Sequence, residues 1–494
     1  MRINDIRGEN QMKSMLQKII VLMLCAVLLC SLPSVRADAA FRIPGSCQVQ
    51  TDSGAVGTVK TLDYDYANNT YLSLRDLAMI LKDTEKSFSL EVTKNAVALN
   101  PGEGYLPLGT ENVPWGEEEI PDGSIRRNEF KVNGETVSYY TVIMPLSSGS
   151  YDCFMMAADL AMILDMNITV PAGDSLQINT REPFAVSPRE LEEAGYFYGV
   201  NGVLVGDATT GEIYYSYQSD LPYPIASTSK LMTCLLVMDA IAAGQMDPED
   251  LVTVSEGAQL LSESSDGVIP LTAGEQIPVK ELLLGALLPS SNECALCLAE
   301  AAAGSQEAFV GMMNQKALDL GLSQAVFFNS HGLPVYTEDP VPAKRQNRMS
   351  AEDMFRMVSH LLNVYPRITE ITSQQSAVLE SRKLEVRNSN PLLRNFSEVT
   401  GLKTGTTNKA GACLVTSLTA DDGIMEHDLV VVVLGAEDSV ERGRVSGLLA
   451  RYALDAFYAG REGAESGPGA PDPESLPVRA EAAVDWILKT ARRR

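Results

Sequence analysis

The side chains that could carry chemistry fall into three short motifs, which occur in one order along the chain. They are Ser227-Thr-Ser-Lys230 (S-x-x-K), Ser290-Ser-Asn292 (S-x-N) and Lys403-Thr404-Gly405 (K-T-G). Each is weak evidence by itself, since a helix-capping serine followed by a solvated lysine also gives S-x-x-K. Together and in this order they predict acyl transfer to a serine hydroxyl.

Ser227 is the candidate nucleophile and Lys230 its candidate base. Ser227 opens an apolar helix predicted over 227–243, so Lys230, three residues on, lies on the same face and can reach the hydroxyl. An alcohol attacks only when a base takes its proton, and a lysine is a base only when neutral. Burial and a nearby cation, for which Lys403 is the candidate, both lower a lysine pKa. The backbone N–H groups at the helix start would also stabilise an oxyanion.

The other two motifs supply candidates for proton relay and substrate binding. The Ser290 hydroxyl can pass a proton from the base to a leaving amine, and Asn292 can hydrogen-bond a substrate backbone amide. Lys403 and Thr404 can bind a terminal carboxylate, while Gly405 lets the backbone of their strand come close. Taken singly, these residues also fit a loop serine, a helix-starting asparagine and an exposed strand lysine. Their joint occurrence favours one site.

Strand and helix patterns place the motifs in one domain, over 188–460, of the α/β (α+β) class. Two predicted strands joined by a turn at Thr209-Thr-Gly211 open it, and three more close it. We expect all five strands to form one antiparallel sheet flanked by helices, with a helical subdomain inserted between them. The predicted elements are strands at 203–206, 212–217, 402–406, 412–418 and 429–435, a mostly helical stretch up to about 395, and a closing helix at 442–458.

Residues 40–182 contain an internal repeat, which predicts a small α+β domain ahead of the catalytic one. Asp76-Leu-Ala-Met-Ile-Leu81 recurs 83 residues later as 159–164, and strand-like segments follow at 88–100 and 167–179. Its Tyr71-Leu-Ser-Leu-Arg-Asp-Leu-Ala segment resembles the stalk-like domains named after the N-terminus of copper amine oxidases. Because no histidine precedes residue 331, we expect no metal here and interpret the domain as a spacer or wall-contact module.

The N-terminus of the chain predicts an exported protein. A basic start, an apolar run at 19–32 and Ala37-Asp-Ala39 are typical of a signal peptide over 1–39, cleaved after Ala39. Residues 461–494 are predicted as a Gly/Pro-rich linker followed by a short amphipathic helix from 480, which could make weak contact with a membrane surface or simply be solvated. We therefore expect the protein outside the cytoplasm, in the wall or at the outer face of the membrane.

The net charge and the cysteine content disfavour several classes of binding partner. The formal net charge of −25 disfavours nucleic acid and anionic lipid surfaces. Cys294 and Cys297 lie in an apolar helical stretch without a second pair at zinc spacing, which favours buried free thiols over a metal or redox site. Cys47 and Cys153 could form a disulfide, or could remain thiols.

Several segments together resemble the low-molecular-mass penicillin-binding proteins, and within them the serine D-alanyl-D-alanine carboxypeptidase family. The resemblance covers about 195–458 and is carried by 224–233, 288–292, 329–333, 401–405 and 410–415. It implies a β-lactamase/transpeptidase-like fold without a cofactor. It also implies removal of the terminal D-alanine from peptidoglycan stem peptides through an acyl-enzyme, and inhibition by β-lactam antibiotics.

The resemblance also assigns roles residue by residue. It makes Ser227 the nucleophile and Lys230 the base, Ser290 with Asn292 the relay and substrate pair, and Lys403 with Thr404 the carboxylate site. The backbone N–H groups of Ser227 and Thr406 would form the oxyanion hole. Ser291 stands where this family usually has glycine.

Two other functions fit parts of the pattern. A serine β-lactamase shares all three motifs, but the E-x-x-L-N string of class A enzymes does not occur between Asn292 and Lys403. A non-catalytic wall-binding or sporulation protein would not need the intact Ser227, Lys230 and Lys403. The sequence leaves open whether the acyl group passes to water or to another peptide strand.

Overall fold

We analysed a computed structural model that describes residues 42–459, apart from 65–68, 113–125, 147, 170–174, 183, 185–186, 194–196, 198, 338–342 and 395. The predicted signal peptide at 1–39 and the predicted linker and helix at 461–494 lie outside the described residues. No helix within the described residues is long and apolar enough to cross a membrane.

Residues 42–179 build one ten-stranded sheet with two short helices packed on it. Its elements are β1 (Arg42–Thr51), β2 (Val56–Tyr64), β3 (Asn69–Ser73), α1 (Leu74–Leu81), β4 (Phe88–Val92), β5 (Ala96–Pro101), β6 (Arg126–Val132), β7 (Glu135–Pro145), β8 (Tyr151–Met156), α2 (Ala157–Leu164), β9 (Asn167–Thr169) and β10 (Ser175–Asn179). The strand order is β4-β5-β6-β7-β8-β3-β2-β1-β10-β9.

The repeat in the sequence appears in this sheet as a pseudo-twofold arrangement about the β3–β8 pair. Each of these strands leads directly into a helix, and the two strands pair antiparallel, with Tyr71 opposite Met156. The hairpin after each helix joins the other copy: β5 pairs parallel with β6, and β10 pairs parallel with β1. The two copies therefore exchange their hairpins.

A buried ion pair between Asp76 and Lys60 holds α1 onto this sheet. Asp76 is fully buried and accepts hydrogen bonds from Lys60 N and Lys60 Nζ, both at 2.9 Å, and from Asn112 N at 2.7 Å. In the second copy, Asp159 occupies the equivalent position, and neither of its carboxylate oxygens has a hydrogen-bond partner among the described residues. Burial raises the pKa of Asp159 to about 7, and Arg444, near the end of the described chain, opposes that rise.

The rest of the described chain forms the predicted α+β arrangement. Its strands are β11 (Gly202–Asp207), β12 (Ile213–Tyr217), β13 (Tyr223–Pro224), β14 (Leu251–Thr253), β15 (Gln276–Pro278), β16 (Val335–Thr337), β17 (Ala343–Arg345), β18 (Arg348–Met349), β19 (Ser376–Leu379), β20 (Leu384–Arg387), β21 (Val399–Thr407), β22 (Gly411–Asp421) and β23 (Glu426–Ala436). Its helices are α3 (Pro188–Glu193), α4 (Lys230–Ala242), α5 (Glu256–Glu263), α6 (Val279–Leu287), α7 (Asn292–Ala303), α8 (Gln306–Asp319), α9 (Ala351–Val364), α10 (Thr369–Thr372) and α11 (Ser439–Ala459), with 3₁₀ turns at Ala226–Ser229, Pro366–Ile368 and Pro391–Arg394.

Strands from both ends of this region share one antiparallel sheet, as predicted. The order is β12-β11-β23-β22-β21, and the pairs are antiparallel throughout. The central strand β23 carries four consecutive valines, 430–433, all without solvent exposure. An uninterrupted apolar run of this kind requires cover on both faces of the sheet. Val430 and Val432 pack with the helical insertion that includes α4 and α7, while Val431 and Val433 pack with α11.

The structure confirms the prediction for Cys294 and Cys297 and decides the open question about Cys47 and Cys153. Cys294 and Cys297 are buried free thiols, as predicted. Cys153 is also a buried free thiol, so the disulfide considered between Cys47 and Cys153 is not formed. Burial in apolar surroundings keeps Cys294 and Cys297 protonated and unreactive. It raises the pKa of Cys297 to about 12 and that of Cys294 further still.

We predict that Asp76→Ala destabilises the N-terminal sheet by about 3 kcal/mol, because it leaves the Lys60 ammonium buried without its carboxylate. Native-state hydrogen exchange in β2 and α1 measures this. The control is Asp83→Ala, just past α1, since the Asp83 side chain is 88% exposed and should change stability little. Equal protection in both variants would contradict the assignment of Asp76 as the anchor of α1.

Candidate active site

Ser227 lies at the tip of a tight turn that leads into α4. The sequence predicted an α-helix from Ser227, but the structure has a 3₁₀ turn at Ala226–Ser229, and the α-helix begins at Lys230. Ser227 is partly exposed, whereas Ala226 and Thr228 on either side are buried. The hydroxyls of Thr228 and Ser229 donate back to the carbonyls of Ile225 and Ala226 at 2.6 Å, which fixes the turn. The candidate nucleophile is therefore held in a fixed turn while its side chain is partly exposed to the solvent.

Two glycines leave room for this turn. Gly405 on β21 sits so close that an added Cβ would lie 2.7 Å from Ser227 N and 2.9 Å from Thr228 N. Gly332, with a φ of +93°, packs from the other side, where a Cβ would lie 1.9 Å from the Ala226 carbonyl oxygen. Both positions exclude any side chain, since the contacting atoms belong to the backbone.

Lys230 connects the S-x-x-K turn to two other segments. Its Nζ lies 2.8 Å from Ser227 Oγ and donates to Asn292 Oδ1 at 2.7 Å and to the His331 carbonyl at 2.9 Å. An amide oxygen and a carbonyl can only accept, so they occupy both N–H bonds of a neutral amine. The lone pair of that amine then faces the Ser227 hydroxyl. This geometry suits removal of the hydroxyl proton.

Burial accounts for the protonation state that this chemistry needs. Lys230 is completely buried, and desolvation lowers its pKa to about 7, against a smaller opposing effect of Glu293. A large fraction of Lys230 is thus neutral near pH 7. Because folding lowers this pKa from 10.5, Lys230 disfavours the folded state at low pH, and that penalty shrinks as the pH rises from about 7 towards 10.5.

The S-x-N motif reaches Lys230 through Asn292. Asn292 Nδ2 donates to the Asp266 carbonyl at 2.8 Å, which orients the amide so that Oδ1 faces Lys230. The two polar groups of Asn292 are thus engaged within the protein, whereas the sequence predicted a bond to substrate. Ser291, in place of the usual glycine, accepts from Cys294 N at 3.1 Å and caps α7. Ser290 is partly exposed in a left-handed backbone conformation, with a φ of 69°.

The K-T-G motif runs along β21 beside the nucleophile turn. Lys403 is 1% exposed, and its Nζ donates to the Thr404 carbonyl at 3.1 Å. Burial, and then the like charge of Lys230, hold the pKa of Lys403 well below its ordinary value. The sequence predicted that burial and the charge of Lys403 together lower the pKa of Lys230, and burial is the cause that the structure shows. Thr404 Oγ1 lies 2.5 Å from Ser389 Oγ, and exposed Thr406 accepts from Arg442 at 3.3 Å.

Four contributors to the site were not predicted from the sequence: the carbonyls of Asp266 and His331, the Ser389 hydroxyl and the Arg442 guanidinium. A backbone carbonyl carries no signal of residue type, and the distance in sequence hides Ser389 and Arg442. The imidazole of His331 is neutral near pH 7, because burial and Lys230 lower its pKa to about 3. Across the described residues, no cluster of three or more His, Cys, Asp or Glu side chains is arranged to hold a metal ion.

Comparison with known proteins identifies the segment that contains this site. Residues 200–438 match the family model for D-alanyl-D-alanine carboxypeptidase. The chain is 36% identical over 245 residues to D-alanyl-D-alanine carboxypeptidase DacF of Bacillus subtilis, covering 49% of this chain and 58% of that protein. It is 32% identical over 238 residues to DacC of Escherichia coli, covering 47% of this chain and 56% of that protein. The chain therefore spans less than two thirds of these relatives.

Solved structures give similar partial matches. A peptidoglycan synthesis regulatory factor (PBP3) from Streptococcus pneumoniae shares 30% identity with a TM-score of 0.48, over 52% of this chain and 72% of that one. Penicillin-binding protein 6B from Escherichia coli shares 28% identity with a TM-score of 0.46, over 51% and 77%. The resemblance of residues 71–78 to copper amine oxidase N-terminal domains lies outside the family match and stays a prediction.

We predict that the Lys230 Nζ signal titrates near pH 7 in ¹⁵N NMR, since its burial disfavours the ammonium. A Lys230→Met variant assigns the signal by removing it. A midpoint near the ordinary lysine pKa of about 10.4 would contradict the burial argument.

Proposed function

We propose, because residues 200–438 belong to the D-alanyl-D-alanine carboxypeptidase family, that this protein is a serine D-alanyl-D-alanine carboxypeptidase. It would release the terminal D-alanine from peptidoglycan stem pentapeptides. One observation carries the proposal: a fully buried amine, Lys230, lies 2.8 Å from a partly exposed serine hydroxyl, Ser227, with its N–H bonds directed at two acceptors. This supports a base that is ready to activate a nucleophile.

In the first step, Ser227 Oγ attacks the carbonyl carbon of the penultimate D-alanine while its proton passes to Lys230 Nζ. The oxyanion that forms would accept hydrogen bonds from the backbone N–H groups of Ser227 and Thr406, a pair supported by the close approach of Gly405 to Ser227 N. The bond from carbonyl carbon to the terminal amine then breaks, and Ser290 would relay the Lys230 proton to that amine. D-Alanine leaves, and an acyl-enzyme remains.

In the second step, water replaces the leaving amine. Lys230, neutral again, would take a proton from the water as its oxygen attacks the ester carbonyl, and the collapse of that intermediate would return the proton to Ser227. The same acyl-enzyme could pass to the amine of another peptide strand. We propose hydrolysis as the main outcome, since the matched relatives are named carboxypeptidases.

The terminal carboxylate of the substrate would bind along β21. Thr404 and its partner Ser389 offer hydroxyls there, and Thr406 lies next to the buried guanidinium of Arg442, whose Nε has no hydrogen-bond partner among the described residues. Lys403 belongs to this strand and is buried, so it would act on the carboxylate through its charge and through its bond to the Thr404 carbonyl.

The partners and location follow from this function. The substrate is a peptidoglycan stem peptide, and β-lactam antibiotics would acylate Ser227 as analogues of its D-alanyl-D-alanine end. Peptidoglycan lies outside the cytoplasm, which agrees with the predicted signal peptide at 1–39. We also propose that residues 480–494 make weak contact with the membrane surface.

Mass spectrometry after incubation with penicillin tests the proposal. We expect a penicilloyl adduct on the peptide that contains Ser227, and release of D-alanine from a pentapeptide. Ser227→Ala should abolish the adduct and lower D-alanine release by about 10⁴-fold or more. Unchanged release by this variant would overturn the assignment. A short-lived adduct with rapid penicillin turnover would favour a β-lactamase, and neither adduct nor D-alanine would favour a non-catalytic wall-binding protein.

We predict that Gly405→Ala lowers the rate of Ser227 acylation by about 100-fold, because a Cβ there displaces β21 from the nucleophile turn. Stopped-flow measurement with a fluorescent penicillin gives this rate. Gly311→Ala in α8 is the matched control, since a Cβ at Gly311 meets nothing within 4 Å. Equal rates in the two variants would show that the close approach of β21 is not needed.

A further inference from the structure

Glu293 is a buried acidic residue beside the site that the acyl-transfer scheme does not use. It follows Asn292 in the first turn of α7 and has no solvent exposure. Burying a carboxylate is costly unless hydrogen bonds and a nearby cation compensate for the loss of water. The structure shows hydrogen bonds to the Glu293 carboxylate and a cation close to it.

The hydrogen bonds hold a loop. Glu293 Oε1 accepts from the backbone N–H groups of Val268, at 3.0 Å, and Ile269. Asn292 Nδ2 donates to the carbonyl of Asp266 in the same loop. Two consecutive side chains thus fix residues 266–269, and one of them, Asn292, also contacts Lys230 Nζ. The position of the loop and the position of the base therefore depend on the same two residues.

Lys230 supplies the cation, since its Nζ donates to the side chain of Asn292, the residue just before Glu293. Glu293 Oε2 is buried and has no hydrogen-bond partner among the described residues, and the carboxylate stabilises the ammonium form of Lys230. The titratable groups around Lys230 come from four elements, namely Cys234 on α4, Glu293 and Cys294 on α7, Lys403 on β21, and His331 in the 329–333 turn. Burial keeps the pKa values of the two thiols high and that of His331 at about 3, so these three are neutral near pH 7. Glu293 is then the source of negative charge in this set.

We propose that Glu293 is a positioning residue for the acyl transfer described above, on which this inference rests. Its Oε1 fixes the 266–269 loop against Asn292, and its negative charge stabilises the Lys230 ammonium that forms when Ser227 loses its proton. The reaction creates this cation in a site with little water, where an opposite charge has a large effect.

The Glu293→Gln variant separates the two roles, because glutamine keeps an acceptor oxygen for the loop and removes the charge. Without the charge, the ammonium is less stable and the pKa of Lys230 falls. Acylation requires neutral Lys230, so the rate rises with pH through this pKa. We expect the midpoint of that rise to move about one pH unit lower in Glu293→Gln. The acylation rate with penicillin, measured from pH 5 to 9, gives the midpoint.

Two further variants act as controls. Glu300→Gln makes the same chemical change two turns along α7 and should keep the midpoint of the unaltered protein. Glu293→Asp keeps the charge but is one methylene shorter, so its midpoint should stay near that of the unaltered protein while the rate falls. A lower rate in Glu293→Gln with no change of midpoint would show a purely structural role and would overturn the proposal.

A second measurement does not depend on activity. The ¹⁵N titration of Lys230 Nζ should move to lower pH in Glu293→Gln even if the protein is not acylated by penicillin. An unaltered protein that forms no adduct and releases no D-alanine would refute the proposed function alone. A Lys230 titration that is the same with and without the Glu293 charge would refute this inference alone.

Discussion

The burial of one amine, Lys230, imposes most of the organisation around the site. A fully buried lysine needs polar partners from the protein, because burial removes it from the solvent. Three segments meet at its Nζ: the turn at Ser227, the start of α7 at Asn292 and the carbonyl of His331. The inserted helices must therefore fold back onto α4, and β21 must lie close enough to cover the turn. Gly332 and Gly405 are where this convergence leaves no space for a side chain.

Much of this could be predicted from the sequence, and the limits have physical causes. Of the motif residues, Lys230 contacts Ser227, Asn292 contacts Lys230, and Gly405 lies against the Ser227 turn. The apolar strand patterns predicted the five-stranded antiparallel sheet. The position of Asn292 was predicted, but not that its amide would bind Lys230 and Asp266. Such contacts depend on the packing of α7 against α4, which local pattern does not encode. The missed carbonyls of Asp266 and His331 are available in any residue type.

The N-terminal sheet shows a similar limit. The recurrence of Asp76-Leu-Ala-Met-Ile-Leu81 at 159–164 predicted two equivalent helices, and the structure has α1 and α2 there. It did not predict that each copy gives its hairpin to the other, because alternating patterns do not specify strand partners. Nor did it distinguish Asp76, which binds Lys60, from Asp159, whose pKa is lowered by the opposite charge of Arg444 on α11 and raised more by burial. Equal sequence positions thus acquired different environments, one inside the sheet and one against the neighbouring domain.

The order of strands in the five-stranded sheet has a consequence for biogenesis. The middle position belongs to β23, the last strand among the described residues to be synthesised, so β11 lacks its second partner until residue 436 has emerged from the ribosome. Until β23 is in place, the apolar helices of the insertion lack the sheet face that covers them. Contacts between residues so far apart in sequence also form slowly. The site around Ser227 therefore forms only after β23 is in place, because β21 joins the β11 side of the sheet through β22 and β23.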